Sequence, residues 1–299
     1  PPATVAVGDD VRATFEGGIT LHRAAVAPAG DPATPVRPGE RLTVDLVWST
    51  TAPISRDLSV FVHLVDGDGL VVAQHDSMPA GGRWPTSDWP LDAGIPDRHA
   101  FDLPPSTAAP CDCRVIVGLY DARDGRRVAP LGGGAAVAGA VDDAAAVVDR
   151  AVTVGRVVVA AAVGRDGVPS PMRVRFGDRI ELVGYALPTR AVRPGATVPL
   201  TLYWRATRAV GRDLKVSVQL RRGAAETWGQ RDEAPADGAR PTSAWRPGEV
   251  VVDAQPVAVS ADAPPDAYTL FVKVYDPERG GLSVDVFGHE LALAPVRVR

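Results

Sequence analysis

Few residues in this chain have the type and spacing to do chemistry, and each has a plainer explanation beside it. Cys111 and Cys113 are the only cysteines, separated by Asp112. On an extended segment they share one face, so they could be two small strand residues or a tight, strained and reducible bridge. As metal ligands they fall short of the four that a structural zinc site takes. The histidines, His22, His63, His75, His99 and His289, show no metal-motif spacing. Ser87 and Ser243 invite a nucleophile reading, but no Gly-x-Ser-x-Gly elbow surrounds them. Asp66/Asp68 and Asp121/Asp124 could meet calcium, yet they lack the oxygen count of a dedicated loop, and Asp-Gly turns account for them. No glycine-rich phosphate loop is present. The residues therefore point to no catalytic group, no metal and no cofactor.

Tryptophan gives the one ligand-binding pattern. Trp84, Trp89, Trp228 and Trp245 could stack on sugar rings, with Arg83, Asp88, Asp232 and Arg240 as polar partners. Against this, Trp89 and Trp245 each end a Pro-Thr-Ser-x-Trp string. There proline fixes φ, the Thr and Ser hydroxyls can tie the loop backbone, and the indole can anchor the loop on a sheet end. Trp84 is replaced by Arg240 at the corresponding position, so any such site would differ between the two. Burial of Trp89 and Trp245 would remove the sugar platform.

Those strings belong to an internal duplication. At an offset of 156, Val36-Arg37-Pro38-Gly39 matches Val192-Arg193-Pro194-Gly195, Trp48 matches Trp204, and Arg56-Asp57-Leu58 matches Arg212-Asp213-Leu214. From Val36 to Leu64, 13 of 29 positions are identical, and from Gln74 to Trp89, 9 of 16. The unchanged offset means equal loop lengths. Earlier, Phe15, Ile19 and Leu21 pair with Phe176, Ile180 and Leu182 at an offset of 161, so copy one carries extra residues near Ala27 to Pro35. Its last strand, around Ala151 to Val158, is expected to match Leu291 to Val298 at an offset of 140. The Gly/Ala-rich 131–146 reads as a surface loop of copy one. The domains are expected at 1–160 and 161–299.

Period-two patterning supplies the elements. Leu42, Val44, Leu46 and Trp48 share one parity, as do Val198, Leu200, Leu202 and Trp204. Leu58, Val60, Val62 and Leu64 alternate with Ser59, Phe61, His63 and Val65, and the same run recurs from Leu214 to Arg221. Such alternation predicts antiparallel strands with one dry and one wet face. Pro-Gly and Asp-Gly pairs punctuate the runs, and no capped helical period stands out. Each half therefore reads as seven or eight short strands in two facing sheets. The fold class is all-β: two tandem Ig-like, or fibronectin-like, antiparallel β-sandwiches. Trp48 and Trp204 are expected as core plugs. Tyr268 is expected to bond its hydroxyl to backbone as a tyrosine corner, which copy one, with Cys113 there, would lack.

Composition narrows the class further. The 299 residues carry a net charge of −4 and are 45% apolar, enough for two ordinary cores. No basic block offers the clustered cations that nucleic acid requires. The longest apolar run, Val157 to Val163, is seven residues, against roughly 20 for a membrane-spanning helix. The absence of Asn excludes N-x-Ser/Thr glycosylation. The start at Pro1-Pro2 without Met reads as a processed piece of something longer.

Pro241 to Asp253 is the most distinctive string. With Val192-Arg193-Pro194-Gly195, Leu200-Thr201-Leu202-Tyr203-Trp204 and Tyr268 to Asp276, it resembles a β-sandwich module of bacterial surface proteins. That module is similar to the extracytoplasmic C-terminal domains that follow multi-pass dolichyl-phosphate-mannose-type glycosyltransferases in Chloroflexi-like bacteria. The likeness covers most of both copies and is weaker in copy one, where Trp89-Pro-Leu-Asp-Ala-Gly replaces Trp-Arg-Pro-Gly-Glu. It implies an extracytoplasmic, non-catalytic module, with any glycosyl transfer belonging to a membrane part. The expected role is a spacer or docking surface for a protein partner or glycan at the cell surface. The alternatives are a carbohydrate-binding module and, least supported, a hydrolase.

Overall fold

Leu42, Val44, Leu46 and Trp48 are all buried, and so are Val198, Leu200, Leu202 and Trp204. Alternation of this kind leaves a strand one oily face, and two such faces bury each other. The computed structural model describes residues 3–6, 12–28, 34–131, 150–164, 166–223, 225–282 and 288–299. The chain divides into Pro1–Pro104 with Pro110–Ala160, and Pro105–Ala109 with Ala161–Arg299.

In the first unit the strands are β1 (Ala13–Phe15), β2 (Ile19–Pro28), β3 (Arg41–Thr50), β4 (Leu58–Val65), β5 (Val71–Ser77), β6 (Ile95–Asp102), β7 (Cys111–Asp121) and β8 (Val152–Val159). They form two antiparallel sheets, β1-β2-β3-β6 and β5-β4-β7-β8. The second unit repeats the plan with β9 (Pro171–Phe176), β10 (Ile180–Ala186), β11 (Ala191–Val192), β12 (Thr197–Val198), β13 (Thr201–Ala206), β14 (Lys215–Arg222), β15 (Glu226–Glu233), β16 (Val250–Ala254), β17 (Val257–Ala258), β18 (Asp266–Asp276), β19 (Gly280–Gly281) and β20 (Leu291–Val298). Its sheets run β9-β10-β13-β16 and β15-β14-β18-β20, with β11 parallel to β20 at one edge, β19 beside β18, and β12 pairing β17. Both units are thus antiparallel β-sandwiches whose sheets are joined by crossing connections. Trp48 and Trp204 lie at corresponding places in the two cores, each against a phenylalanine, Phe15 at 5.8 Å and Phe176 at 5.4 Å.

Four details depart from the sequence reading. The run Val198 to Trp204 is broken, because Pro199 cannot donate to a ladder, and β12 and β13 pair with different strands. Strand β4 is not half-wet: all eight of its residues are buried. Phe61 and Val65 of its outer face pack with Ile116 and Ala151 into a second, small core. The last strands correspond one residue later than expected. Cys113 pairs with Val157 and Tyr268 with Val296, so the offset is 139 and Ala151 answers to Glu290. Short 3-10 turns, Pro79–Gly82, Thr86–Asp88, Pro235–Gly238 and Thr242–Ala244, stand where only loops were expected. The Gly/Ala-rich 131–146 lies, beyond residue 131, outside the described residues.

Tyr268 is buried at the head of β18 and donates its hydroxyl to the Pro264 carbonyl at 2.7 Å. Burial also pushes its phenol upward, so the donating, neutral form is the one held. Replacing it with Phe removes one side-chain hydrogen bond and leaves the ring. Tyr268→Phe is expected to cost the second sandwich about 1 kcal/mol in denaturant unfolding, and no measurable loss would refute the corner's role.

Candidate functional site

The Pro-Thr-Ser-x-Trp strings form clamps. In copy one the Thr86 hydroxyl donates to the Arg56 carbonyl at 2.8 Å and accepts from the Leu58 amide at 2.9 Å. Ser87 donates its hydroxyl to Asp57 at 2.7 Å, and its amide donates to the same carboxylate oxygen at 3.2 Å. The Trp89 indole donates to the Trp84 carbonyl at 3.1 Å. Copy two repeats most of these bonds: Thr242 bridges Arg212 and Leu214, the Ser243 amide donates to Asp213, and the Trp245 indole donates to the Arg240 carbonyl at 2.9 Å. One loop after β3 or β13 is thereby stitched to another, 30 residues on. Ser87 faces a carboxylate that accepts its proton in a hydrogen bond, and the bond positions a loop. Ser243 holds Asp213 below the usual carboxylate range through its side-chain and backbone bonds.

A second set escaped the sequence reading. Asp97 and Asp253 occupy inward positions of β6 and β16 and are buried. Asp97 accepts from the Ala80 amide at 2.9 Å, and Asp253 from the Ala236 amide at 2.8 Å. Ala80 and Ala236 have φ of 53° and 52°, a left-handed conformation that favours glycine. Each buried carboxylate thus pins a strained turn. In copy one His99 Nε2 lies 3.0 Å from Asp97, and His75 Nδ1 lies 3.0 Å from His99 Nδ1. This resembles an acid–base relay. In copy two Asp253 is met instead by the Trp204 indole at 3.0 Å and the Gln255 amide at 3.0 Å, with no titratable partner. The shared task of the carboxylate is bracing. The signal that could have revealed it is an aspartate on the oily parity, Ile95-x-Asp97-x-His99-x-Phe101, recurring at Val251-x-Asp253-x-Gln255.

The tryptophan platform is not formed. Trp84, Trp89 and Trp245 are 3%, 6% and 3% exposed, so their ring faces are packed against protein. A bulge opposite Leu220 and Arg221 shifts the side-chain alternation along β15, and Trp228 is half-buried there, packed in part against the core. Arg83 is exposed and donates to the Ala80 carbonyl at 3.0 Å. Asp88 is exposed. Arg240 pairs with Glu249. Asp232 is half-buried and accepts the Tyr275 hydroxyl at 2.6 Å on the outer side of β15 and β18. That bond and burial push the Tyr275 phenol up to about 12.

Cys111 and Cys113 are disulfide-bonded to each other and buried on β7. Among the two readings of free strand thiols and a bridge, the structure has the bridge. The acidic turns are braced by their own backbone amides. Asp66 accepts from the Asp68 and Leu70 amides at 2.9 Å each, and Asp121 accepts from the Arg123 amide and guanidinium. Arg123 holds the Asp121 carboxyl far below the usual range. Among the described residues no group of three or more metal-type side chains comes together, and no helix is long and apolar enough to cross a membrane. A recess of about 320 Å³ lies beside Arg173, Glu181 and Arg205, whose charges are engaged: Arg173 and Arg175 on Glu181, and Arg205 on Asp166.

No protein-family model matches the chain, and no curated protein matches it. Among solved structures it is similar to the native conformation of Escherichia coli alpha-2-macroglobulin, with 10% identity and a TM-score of 0.24, over all of this chain and 15% of that one. It is also similar to a calcium-binding mutant of Bacteroides uniformis beta-glucuronidase 2, with 9% identity and a TM-score of 0.26, over 90% of this chain and 28% of that one. The chain spans less than a third of either protein, and at these scores neither likeness bears on function.

Two measurements test the bracing. Thr86→Val and Thr242→Val keep the side-chain volume but orphan a buried amide and a carbonyl. Each is expected to cost its own sandwich about 2 kcal/mol in urea unfolding, and a loss below about 0.5 kcal/mol in both would contradict the clamp. The imidazole of His75 is held below its ordinary value by burial first and His99 second, against the opposing pull of Asp76 and Asp97. Its folded value thus lies under that of the unfolded chain, about 6.5. Below that pH the unfolded chain binds a proton the fold refuses, so stability is full above it and falls with acidification. His75→Gln is expected to shrink the drop in melting temperature between pH 7.5 and 5.5; an equal drop in both proteins would rule His75 out as its source.

Proposed function

We propose that this chain is a non-catalytic pair of β-sandwich modules that serves outside the cytoplasm as a spacer or docking element of a cell-surface or membrane-anchored protein. The observation that carries the reading is the repetition of the clamp. The hydroxyls and the buried carboxylates with the look of chemistry perform the same structural task twice, on Thr86 and Thr242, and on Asp97 and Asp253. What duplication preserved is loop geometry. The histidine relay is confined to one copy. An enzyme surviving duplication would more readily keep its reacting groups than its loop braces. The buried Cys111–Cys113 bridge fits an oxidising compartment, where disulfides persist. The resemblance of Pro241 to Asp253 to extracytoplasmic modules points the same way.

The test is made in the organism that carries the gene. Antibody against this chain is expected to label intact cells as strongly as permeabilised ones. Deleting the region from the full-length gene is expected to remove a co-purifying protein partner or displace the parent protein. Labelling only after permeabilisation would overturn the placement.

A further inference from the structure

The two copies differ on the outer face of one sheet. In copy one that face is plugged. Phe61 stands upright on β4, packed with Val65, Ile116 and Ala151, and the Arg127 guanidinium lies 4.3 Å from its ring centre. The plug requires Gly118, since a Cβ there would come within 2.4 Å of the Phe61 ring.

In copy two the plug is absent residue for residue. The strand pairings place Ser217 where Phe61 stands, Arg221 for Val65, Phe271 for Ile116 and Lys273 for Gly118. Glu290 answers to Ala151 by the register of the last strands. Gly281, paired with Tyr275, answers to Arg127, paired with Tyr120, so the covering guanidinium has no counterpart. What remains is a recess of about 210 Å³ on the outer face of β14, β15 and β18.

Its walls are dense in polar groups and balanced in charge. Arg221 is forked onto Glu290 with both bonds at 2.8 Å, and also reaches Gln219. Asp232 takes the Tyr275 hydroxyl, and Gln219 donates to Gln230 at 3.3 Å. Arg221 and then the field of Lys273 hold the Glu290 carboxyl low, so it is an acceptor at neutral pH. Three groups keep capacity to spare: the Ser217 hydroxyl, the Gln230 amide nitrogen and the Lys273 ammonium make no hydrogen bond among the described residues. The one large apolar ring, Phe271, lies 4.6 Å beneath the Arg221 guanidinium.

We propose that this shelf is a binding site for a neutral glycan, one or two hexose rings of which lie on the sheet. Two cations and two anions cancel, which gives a polyanion or a polycation no net field to follow. No apolar pocket is available to anchor a hydrophobic peptide side chain. The site is on a sheet face, where an added strand finds no ladder partners. What matches closely set donors and acceptors with little oil is a ligand of closely set hydroxyls. The volume is below the roughly 300 Å³ at which pockets begin to enclose a drug-sized molecule, so the ligand is cradled and continues into solvent. The inference stands apart from the docking role, which requires no ligand here, and from the buried tryptophans.

The test uses the whole chain, isotope-labelled for NMR. Laminaritetraose, maltotetraose and mannotetraose are titrated to about 10 mM, ten times the weakest affinity worth the name of a site, with tetragalacturonate as the charged control. A neutral saccharide is expected to shift amides of β14, β15 and β18. Gln230→Ala, at an exposed position, and Lys273→Ala are each expected to weaken it about tenfold, the worth of one hydrogen bond to or beside a charged group. The double variant Ser217→Phe/Lys273→Gly, which restores both members of the plug, is expected to abolish it while the melting temperature stays within a few degrees. Shifts from none of the neutral saccharides, tighter binding of tetragalacturonate, or affinity unchanged in both alanine variants would each overturn the proposal.

Discussion

A backbone that leaves a buried strand must find partners for its amides and carbonyls away from water, and most of what looks like chemistry here answers that demand. Thr86 and Thr242 each satisfy one amide and one carbonyl on the segment entering β4 or β14. Asp97 and Asp253 each hold an amide of a left-handed turn that would otherwise relax. Leaving such a group unpaired costs more than a typical hydrogen bond gains. These few side chains are therefore retained at fixed spacing while the residues around them drift.

The drift has direction. Inside each sandwich, Trp48 and Trp204 keep a phenylalanine neighbour, Phe15 and Phe176. Their polar ends differ: the Trp204 indole donates to Asp253, whereas the Trp48 nitrogen is buried without a partner because His99 has taken Asp97. On the outer face the change is larger. Phe61 and Gly118 form one coupled solution, an upright ring over a bare backbone, and Ser217 and Lys273 form the other. Neither pair can be exchanged one residue at a time without a clash or a void. A single ancestral module thus yields one closed face and one open one.

Much of this was legible in the residue order. The duplication, the all-β class, the core tryptophans and the Tyr268 corner follow from a repeat offset and an alternation, both local in sequence. The sugar platform was misread for a physical reason. A tryptophan in a loop can lie flat in solvent or be driven into the core, and spacing does not distinguish these. Trp89 and Trp245 are buried because a carbonyl five residues back accepts the indole hydrogen. Trp228 is turned partly toward the core because one bulge shifts its parity.

By itself the order of residues determined which faces are oily, where the turns fall and that the plan occurs twice, since these depend on neighbours a few positions apart. Only the tertiary structure decided which polar groups are spent and which are spare. That balance is struck between strands distant in sequence: Gly118 under Phe61, Glu290 beside Arg221, Asp253 beneath Ala236. Hydrogen bonds and packing act over a few ångströms in space, and no count along the chain reports that distance.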